Sequence, residues 1–453
     1  MNSHLISKYN VPGPRYTSYP TVPYWNQTPP SPEQWKDAMK KSFIKTNSEK
    51  GISIYIHLPF CESLCTYCGC NTRITVNHKV ETVYINAVLK EWAMYVELFQ
   101  SAPNIHEIHL GGGTPTFFSP QNLKLLIEGI ISKGNVIKNA SFSFEAHPNN
   151  TTKEHLETLY ALGFRRLSLG IQDFEPKVQE IVNRIQSYEK VKEVTQQARE
   201  TGFDSINYDL IYGLPLQTKQ SIMLTIEKVI ELKPDRIAFY SYAHIPWLKP
   251  GQRKFTEADL PADALKRELY ETGRILLENA GYKEIGMDHF ALETDSLYKA
   301  AMNKTLHRSF MGYTDSNTEL LIGLGVSAIS DTWNGFAQNA KKVEDYYALL
   351  EKEQLPVVKG HLLNAEDLIV RRHILNLICN GETSWQNPWS KSVAVYYALE
   401  RLQEMQQDGL VEIEPFHLKV TEAGKPFIRN VCMAFDARLW KNIPKTKIFS
   451  NTI

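Results

Sequence analysis

Between Ile52 and Ser330, short apolar runs alternate with longer stretches whose apolar and charged residues recur at helical spacing. The runs at 53–58, 105–110, 141–146, 166–171, 205–211 and 236–242 read as strands, and segments such as 80–99 and 187–201 read as helices. Strands alternating with helices predict parallel β/α units. No repeat of fixed period and no low-complexity segment interrupts the pattern. What ends each strand constrains the chain further. The first run ends at a cysteine-rich loop, the second at Gly111-Gly112-Gly113-Thr114-Pro115 and the third at Glu145. The fourth ends at Gly170-Ile171-Gln172-Asp173, the fifth carries Asp209, and the sixth ends in Ala243-His244. Chemically special residues at successive C-terminal strand ends are the layout of a β/α barrel active site.

The cysteine loop holds Cys61, Cys65, Cys68 and Cys70, four of the six cysteines in the chain. The N-terminus lacks a cationic stretch followed by an apolar one, and no run approaches membrane-spanning length, so neither export nor a membrane span is expected. In a reducing cytosol, clustered cysteines bind metals or do chemistry rather than forming bridges. Structural zinc joins two well-separated Cys/His pairs, and no second pair follows here. A compact thiolate run suits an iron–sulfur cluster better. With spacing C-x3-C-x2-C, three thiolates serve three irons of a cubane and leave the fourth without one, the open position that a catalytic centre needs.

At 453 residues the chain has room for about two to three domains. It carries 50 basic and 50 acidic residues, so bulk charge points to no nucleic-acid partner, and an anionic substrate must meet a local basic patch.

The cysteine run, with Tyr67 before its third cysteine, resembles the radical S-adenosylmethionine (SAM) signature. The six β/α units are similar to the partial barrel of that superfamily. Further motifs resemble, in order and nearly end to end, the oxygen-independent coproporphyrinogen III oxidases. These are Lys8-Tyr-Asn-Val-Pro-Gly-Pro-Arg15, Cys68-Gly-Cys70-Asn71, Glu145-Ala-His-Pro148, Leu169-Gly-Ile-Gln-Asp-Phe174 and Tyr208-Asp-Leu-Ile-Tyr-Gly-Leu-Pro215. Gly286-Met-Asp-His-Phe290, Leu306-His-Arg-Ser-Phe310, Gly325-Val-Ser-Ala-Ile-Ser330 and Arg429-Asn-Val-Cys-Met-Ala-Phe435 continue the resemblance. It implies a partial (β/α)6 barrel with an N-terminal extension and a mainly helical C-terminal domain. It also implies a [4Fe-4S] cluster on Cys61, Cys65 and Cys68, with the amine and carboxylate of SAM on the open iron. The reaction it implies begins with reductive cleavage of SAM to a 5′-deoxyadenosyl radical that takes a hydrogen from the β-carbon of a propionate. Loss of carbon dioxide and a further electron leaves a vinyl group. Two propionates of coproporphyrinogen III react, giving protoporphyrinogen IX.

By the same resemblance two SAM molecules bind, and Tyr55, Gly112, Gly113, Thr114, Glu145, Gln172, Arg184, Asp209, Ala243 and Ile329 match cofactor-contacting positions. Tyr67 and Cys70 lie beside them. From the residues alone, the glycine cluster reads either as a tight turn or as backbone that approaches a ligand without Cβ obstruction. Arg184 is open between cofactor contact and pairing with an acid. Met311 stands where the family has a glutamine near the second cofactor, and a thioether cannot replace an amide. For the substrate carboxylates Arg15 is the first candidate and Arg308 and His307 follow, with a salt bridge as the rival reading. His57 reads as a hydrogen-bonded structural histidine.

Residues 1–50 are expected to cover the substrate, 51–340 to form the barrel and its extension, and 341–453 to form a winged-helix-like cap. Helices are expected at 367–380 and 393–407, with a hairpin after Asp408-Gly409. Cys379 and Cys432 read as buried and inert. A cytoplasmic monomer is expected, reduced by a donor such as flavodoxin or ferredoxin, with no nucleic acid or membrane as partner. Two rival readings stand at this point: a haem chaperone built on the same barrel, whose members usually lack the fourth cysteine and the N-terminal extension, and a radical enzyme that opens or methylates haem.

Overall fold

The computed structural model describes residues 3–446 and 448–452; Met1, Asn2, Lys447 and Ile453, which fall in the expected end segments, lie outside the described residues. Six parallel strands form in chain order: β1 (Ile52–Leu58), β2 (Asn104–Gly112), β3 (Asn135–Ala146), β4 (Phe164–Gln172), β5 (Ser205–Tyr212) and β6 (Arg236–Ser241). After each comes a helix: α1 (Val80–Phe99), α2 (Pro120–Ile131), α3 (Lys153–Ala161), α4 (Tyr188–Thr201), α5 (Lys219–Leu232) and α6 (Asp263–Asn279). In α1 the residues Tyr84, Val88, Trp92, Tyr95 and Phe99 recur three or four apart, with Ile85 beside the first, and all are buried on the sheet. Removing side chains of this size from water contributes roughly 1.5–3 kcal/mol each. Ser187 caps α4 by accepting from the Lys190 amide, and Gly202 ends it at φ 109°, a conformation that glycine adopts without penalty.

The alternation of side chains along each strand sorts chemistry to two faces. Phe144, Leu167, Leu169, Ile206, Tyr208, Leu210 and Phe239 pack outward under the helices in the main core. The inward residues line up by register. One row runs Ser143, Arg166, Ser205; the next runs Glu145, Ser168, Asn207, Arg236; a third runs Gly170, Asp209, Ala238. The interior of this barrel is therefore polar, and its apolar core lies between sheet and helices.

The sheet is larger than the six expected strands. The segment from Gly281 onward adds β7 (Lys283–Glu284) and β8 (His289–Ala291), antiparallel at the β6 edge. At the other edge β9 (Leu321–Leu324) pairs parallel to β1, and β10 (Ile329–Asp331), β11 (Gly335–Asn339) and β12 (Val357–Leu362) follow as an antiparallel meander. The order is β12-β11-β10-β9-β1-β2-β3-β4-β5-β6-β8-β7, with the two outer strands left unjoined, so the barrel is open. The expected boundary at 340 falls inside this sheet, because β12 pairs with β11 and Tyr346 and Leu350 of the helix Val343–Glu351 join the main core.

Beyond β12 lies a second core built on α7 (Ala365–Asn380), α8 (Val393–Gln407) and α9 (Ile428–Phe435). Glu382–Ser384, Val411–Glu414 and His417–Val420 form a three-stranded antiparallel sheet, the helix–strand–helix–hairpin order of a winged helix. The N-terminal segment is part of this second core: Tyr9, Tyr16 and Tyr19 are buried in it. Arg429 donates to the carbonyls of Gly13, Pro14 and Asn451 and clasps the two chain ends together. No helix among the described residues is long and apolar enough to cross a membrane.

Candidate active site

The cysteine loop leaves the end of β1 and is closed by a short parallel pairing of Phe60–Cys61 with Arg73–Ile74. Neighbouring elements hold its backbone. The Thr66 amide donates to the Val182 carbonyl at 2.9 Å, Asn183 Nδ2 to the Leu64 carbonyl at 2.8 Å, Gln252 Nε2 to the Tyr67 carbonyl at 3.0 Å and Lys249 Nζ to the Cys70 carbonyl at 2.9 Å. All six cysteines are free thiols. Cys61 Sγ lies 3.3 Å from Thr114 Oγ1, and burial pushes its thiol up to about 11. Cys68 is held below the ordinary thiol range by its hydrogen bond with Cys70 and by the cations of Lys249 and Arg184. Arg184 points one guanidinium nitrogen at Cys65 Sγ, 3.6 Å away, and another at the Gly170 carbonyl, 2.6 Å away. It therefore pairs with a thiol and a carbonyl, with no acid involved.

Among the described residues no group of three or more His, Cys, Asp or Glu side chains is placed to hold a single metal ion. Three thiolates on three different irons stand further apart than three on one ion, so a cluster asks for a different placement. The donor set suits an iron–sulfur cluster: three soft thiols on one tethered loop, with Arg184 and Lys249 supplying positive charge that favours thiolate.

The glycines after β2 serve the protein itself. A Cβ on Gly113 would stand 2.5 Å from the Pro59 carbonyl oxygen, and one on Gly112, at φ 120°, would stand 2.9 Å from the His57 ring. The amides of residues 112, 113 and 114 donate to Glu145 Oε2, the Leu58 carbonyl and the Phe60 carbonyl at 3.3, 2.8 and 3.1 Å. The glycine loop is thus packed under the root of the cysteine loop, with Gly112, Gly113 and Thr114 also in the cavity wall described next.

These elements wall a cavity of about 550 Å³ that also takes in the polar interior rows. Cys61, Cys65, Cys68, Cys70, Tyr67, Gly112, Gly113, Thr114, Glu145, Gln172, Arg184 and Asp209 all line it. Asp209 accepts from Ser168 Oγ at 2.8 Å and Asn207 Nδ2 at 2.9 Å, and burial followed by the nearby Glu145 charge pushes its carboxyl up to about 6. Gln172 turns into the cavity from a left-handed backbone, φ 66°. Tyr55 packs with Leu321, Ala328, Phe310 and Met311, its ring edge-on to Phe310 with centroids 4.9 Å apart, and Met311 from this patch also lines the cavity. Neither Tyr55, Ala243 nor Ile329 is part of the cavity wall; the Ala243 carbonyl accepts from Gln252 at 3.3 Å, and Ile329 begins β10. His57 is buried between the Tyr55 hydroxyl and the Asn71 carbonyl at 3.0 and 2.9 Å, and burial pushes its ring below the usual histidine range.

The structure adds residues to the site. Arg166 and Arg236 close its floor, paired with Asp315 at 3.1 Å and Asp295 at 2.7 Å, and Tyr240 and His289 line its side. Two-residue alternation carried the signal for the floor, since Arg166, Ser168, Gly170 and Gln172 share one face of β4. Arg15 lies outside this cavity. It donates to the Ser241 carbonyl at 2.9 Å, faces Asp288 at 3.7 Å and lines a second cavity of about 1190 Å³ between the barrel edge and the C-terminal domain. Arg308 is buried against Tyr313, and His307 lies by Asp331 and Arg371, its ring held down to about 4 by burial.

A model of the Radical SAM superfamily matches residues 55–229, the stretch from β1 into α5. Fold and site together define a radical SAM protein. Curated relatives sharpen this. Oxygen-independent coproporphyrinogen III oxidase from Salmonella typhimurium is 39% identical over 440 residues, covering 96% of this chain and 95% of the relative. The enzymes of that name from Escherichia coli and Helicobacter pylori are each 38% identical over 443 residues and 96% of this chain, covering 95% and 96% of their own lengths. The solved structure of the Escherichia coli coproporphyrinogen III oxidase, described as a radical SAM enzyme, superposes with a TM-score of 0.89 at 36% identity, over 96% of this chain and 98% of that one. The chain belongs to the oxygen-independent coproporphyrinogen III oxidase family.

Proposed function

We propose that this chain decarboxylates two propionate side chains of coproporphyrinogen III to vinyl groups without oxygen, giving protoporphyrinogen IX. The observation that carries the reading is the meeting of the tethered cysteine loop and the polar barrel interior in one cavity at the strand ends, in a chain with end-to-end relatives of that activity. A [4Fe-4S] cluster and SAM, when bound, supply the radical that takes a hydrogen from the propionate.

The chain's own residues bind, orient and exclude. Cys61, Cys65 and Cys68 are the proposed cluster ligands, and Arg184 and Lys249 keep that loop electropositive. Glu145, fixed near the Gly112 amide, is placed to meet a methionyl amine. Asp209, oriented by Ser168 and Asn207, has the acceptor geometry for ribose hydroxyls. Gln172 and Tyr67 extend the same wall. For a second SAM molecule we assign the neighbourhood of Cys70, Gly113, Thr114 and Met311, with Tyr55 packed on Met311, and with Ala243 and Ile329 as further positions that match the family. Met311 makes that end of the cavity more apolar than an amide would. Arg15, on the N-terminal strap and facing the second cavity, is placed to engage a substrate carboxylate. A cytoplasmic monomer reduced by flavodoxin or ferredoxin completes the reading.

An anaerobic assay with coproporphyrinogen III, dithionite, SAM and reconstituted protein tests it, the expected product being protoporphyrinogen IX. Tight haem binding without that product would overturn it in favour of a chaperone, and a haem-opening or haem-methylating product would do so in favour of a haem-modifying enzyme. Equilibrium dialysis of SAM reads its stoichiometry, expected to be two per chain.

A further inference from the structure

Three arginines among the described residues are buried: Arg308, Arg371 and Arg429, exposed by 8, 4 and 7%. Arg371 pairs with Asp331 and the Trp333 carbonyl, and Arg429 donates to three backbone carbonyls. The Arg308 guanidinium has neither kind of partner: its Nε and Nη1 are buried without a hydrogen bond, and it forms no ion pair. A desolvated cation without a hydrogen-bond or ion-pair partner is costly to folding stability.

Arg308 sits on the hairpin His307–Ser309/Gly312–Thr314, opposite Tyr313 in the strand register, with its guanidinium carbon 4.5 Å from the centre of the Tyr313 ring. Tyr313 lines the cysteine-loop cavity. The Tyr313 hydroxyl donates to the Ile378 carbonyl at 3.0 Å and accepts from the Met287 amide at 3.1 Å, and both of those residues line the second cavity. Arg308 lines neither chamber itself; through Tyr313 it stands within the partition between them. Stacking on Tyr313 fixes the plane of the guanidinium and leaves its buried Nε and Nη1 without an acceptor, the pairing that a planar, two-oxygen anion supplies. Asp288, the carboxylate that faces Arg15, is held in a left-handed backbone, φ 62°.

We propose that Arg308 receives a carboxylate of the tetrapyrrole and so selects substrates that carry charged propionates, an inference that rests on the porphyrinogen reading above. The ring system then spans the partition, with one propionate reaching the cysteine-loop cavity and another held at Arg308.

Binding tests this apart from turnover. Coproporphyrin III, the fully oxidised and fluorescent form that the enzyme does not convert, is titrated anaerobically into the holoenzyme, alongside its uncharged tetramethyl ester. Wild type is expected to prefer the free acid. Arg308→Met is expected to bind the acid about 10- to 100-fold more weakly, the loss typical of a charge-assisted pair, with ester binding unchanged. Arg308→Lys recovers part of the loss. A structural arginine would destabilise on removal, whereas Arg308→Met is expected to melt at the same temperature as wild type or higher. Acid binding by Arg308→Met equal to wild type overturns the inference, as does a lowered melting temperature with the acid/ester preference intact. Wild type that binds neither porphyrin and converts no coproporphyrinogen III overturns the functional reading itself, a result distinct from either of these.

Discussion

Arg184 Nη1 stands 3.6 Å from Cys65 Sγ while its Nη2 is held 2.6 Å from the Gly170 carbonyl, so one side chain joins the end of β4 to the cysteine loop of β1. The carbonyl orients the guanidinium, and the guanidinium presents an N–H to the sulfur. Partners one step behind a metal's ligands commonly change metal affinity by about 10- to 100-fold. Arg184→Gln is expected to retain iron less well by that order, with secondary structure unchanged. Iron and sulfide content after anaerobic gel filtration, beside circular dichroism, measures it. Full cluster retention in the variant would show that this contact is incidental.

Gly113 sets a steric limit. Its missing Cβ would fall 2.5 Å from the Pro59 carbonyl oxygen, a backbone atom that cannot swing aside. Gly113→Ala must part the glycine loop from the root of the cysteine loop and stretch the 2.8 Å bond from the Gly113 amide to Leu58. Overpacking of this kind costs roughly 1–3 kcal/mol. A lowered melting temperature is expected, together with a loss of SAM affinity, since Cys61 and Thr114 belong to the same contact. Gly69→Ala, with no protein atom within 4 Å of the added methyl, is the control for stability and is expected to leave the melting temperature unchanged.

The parallel units were legible because each strand is six or more residues of apolar pattern and each ends in an abrupt change of chemistry. The helices 80–99 and 393–407 match those observed end to end. The meander β9 to β12 escaped notice because its strands are three to six residues long, too short for periodicity to register. Its place beside β1 is set by distant partners such as Glu91 on α1. Site residues at strand ends could be read one by one. Their convergence in rows depends on register, which one strand alone does not encode, and the arginine floor became visible only there. The packing of the glycine loop was illegible for a related reason: its amide partners, Leu58, Phe60 and Glu145, lie far away in sequence.

As the proposed partner of the ribose hydroxyls, Asp209 is expected to give SAM binding a pH dependence. Its carboxyl is pushed up to about 6, and only the ionised form accepts from two ribose hydroxyls at once. Affinity for SAM is expected to be level above about pH 7 and to fall close to tenfold per pH step below 6, as protonation competes with binding. Asp209→Asn is expected to bind about tenfold more weakly at pH 8 and to lose most of the slope. Calorimetric titration of the holoenzyme between pH 5.5 and 8 reads both. An unchanged slope in the variant removes Asp209 from the SAM site.

Glu91 ties the barrel to its unforeseen extension. From α1 it accepts from the Gly325 amide at 2.8 Å, Asn339 Nδ2 at 2.7 Å and the Tyr346 hydroxyl at 2.6 Å, groups flanking the meander. Burial pushes its carboxyl up from 4.5 to about 7, against those three hydrogen bonds. Between these two values the folded chain keeps a proton that the unfolded chain has released. The stabilising effect of the protonated form is complete below about pH 4.5 and is lost as pH rises through 7. The loss is on the order of 3 kcal/mol. Glu91→Gln cannot titrate, so its stability relative to the parent is expected to rise steadily from pH 5 to pH 7.5 and then level off. Whatever the amide costs by facing Asn339 enters that difference as a constant. Paired melting curves across the range supply the measurement, and a difference that stays flat with pH would mean that Glu91 is ionised throughout and holds the extension as a carboxylate.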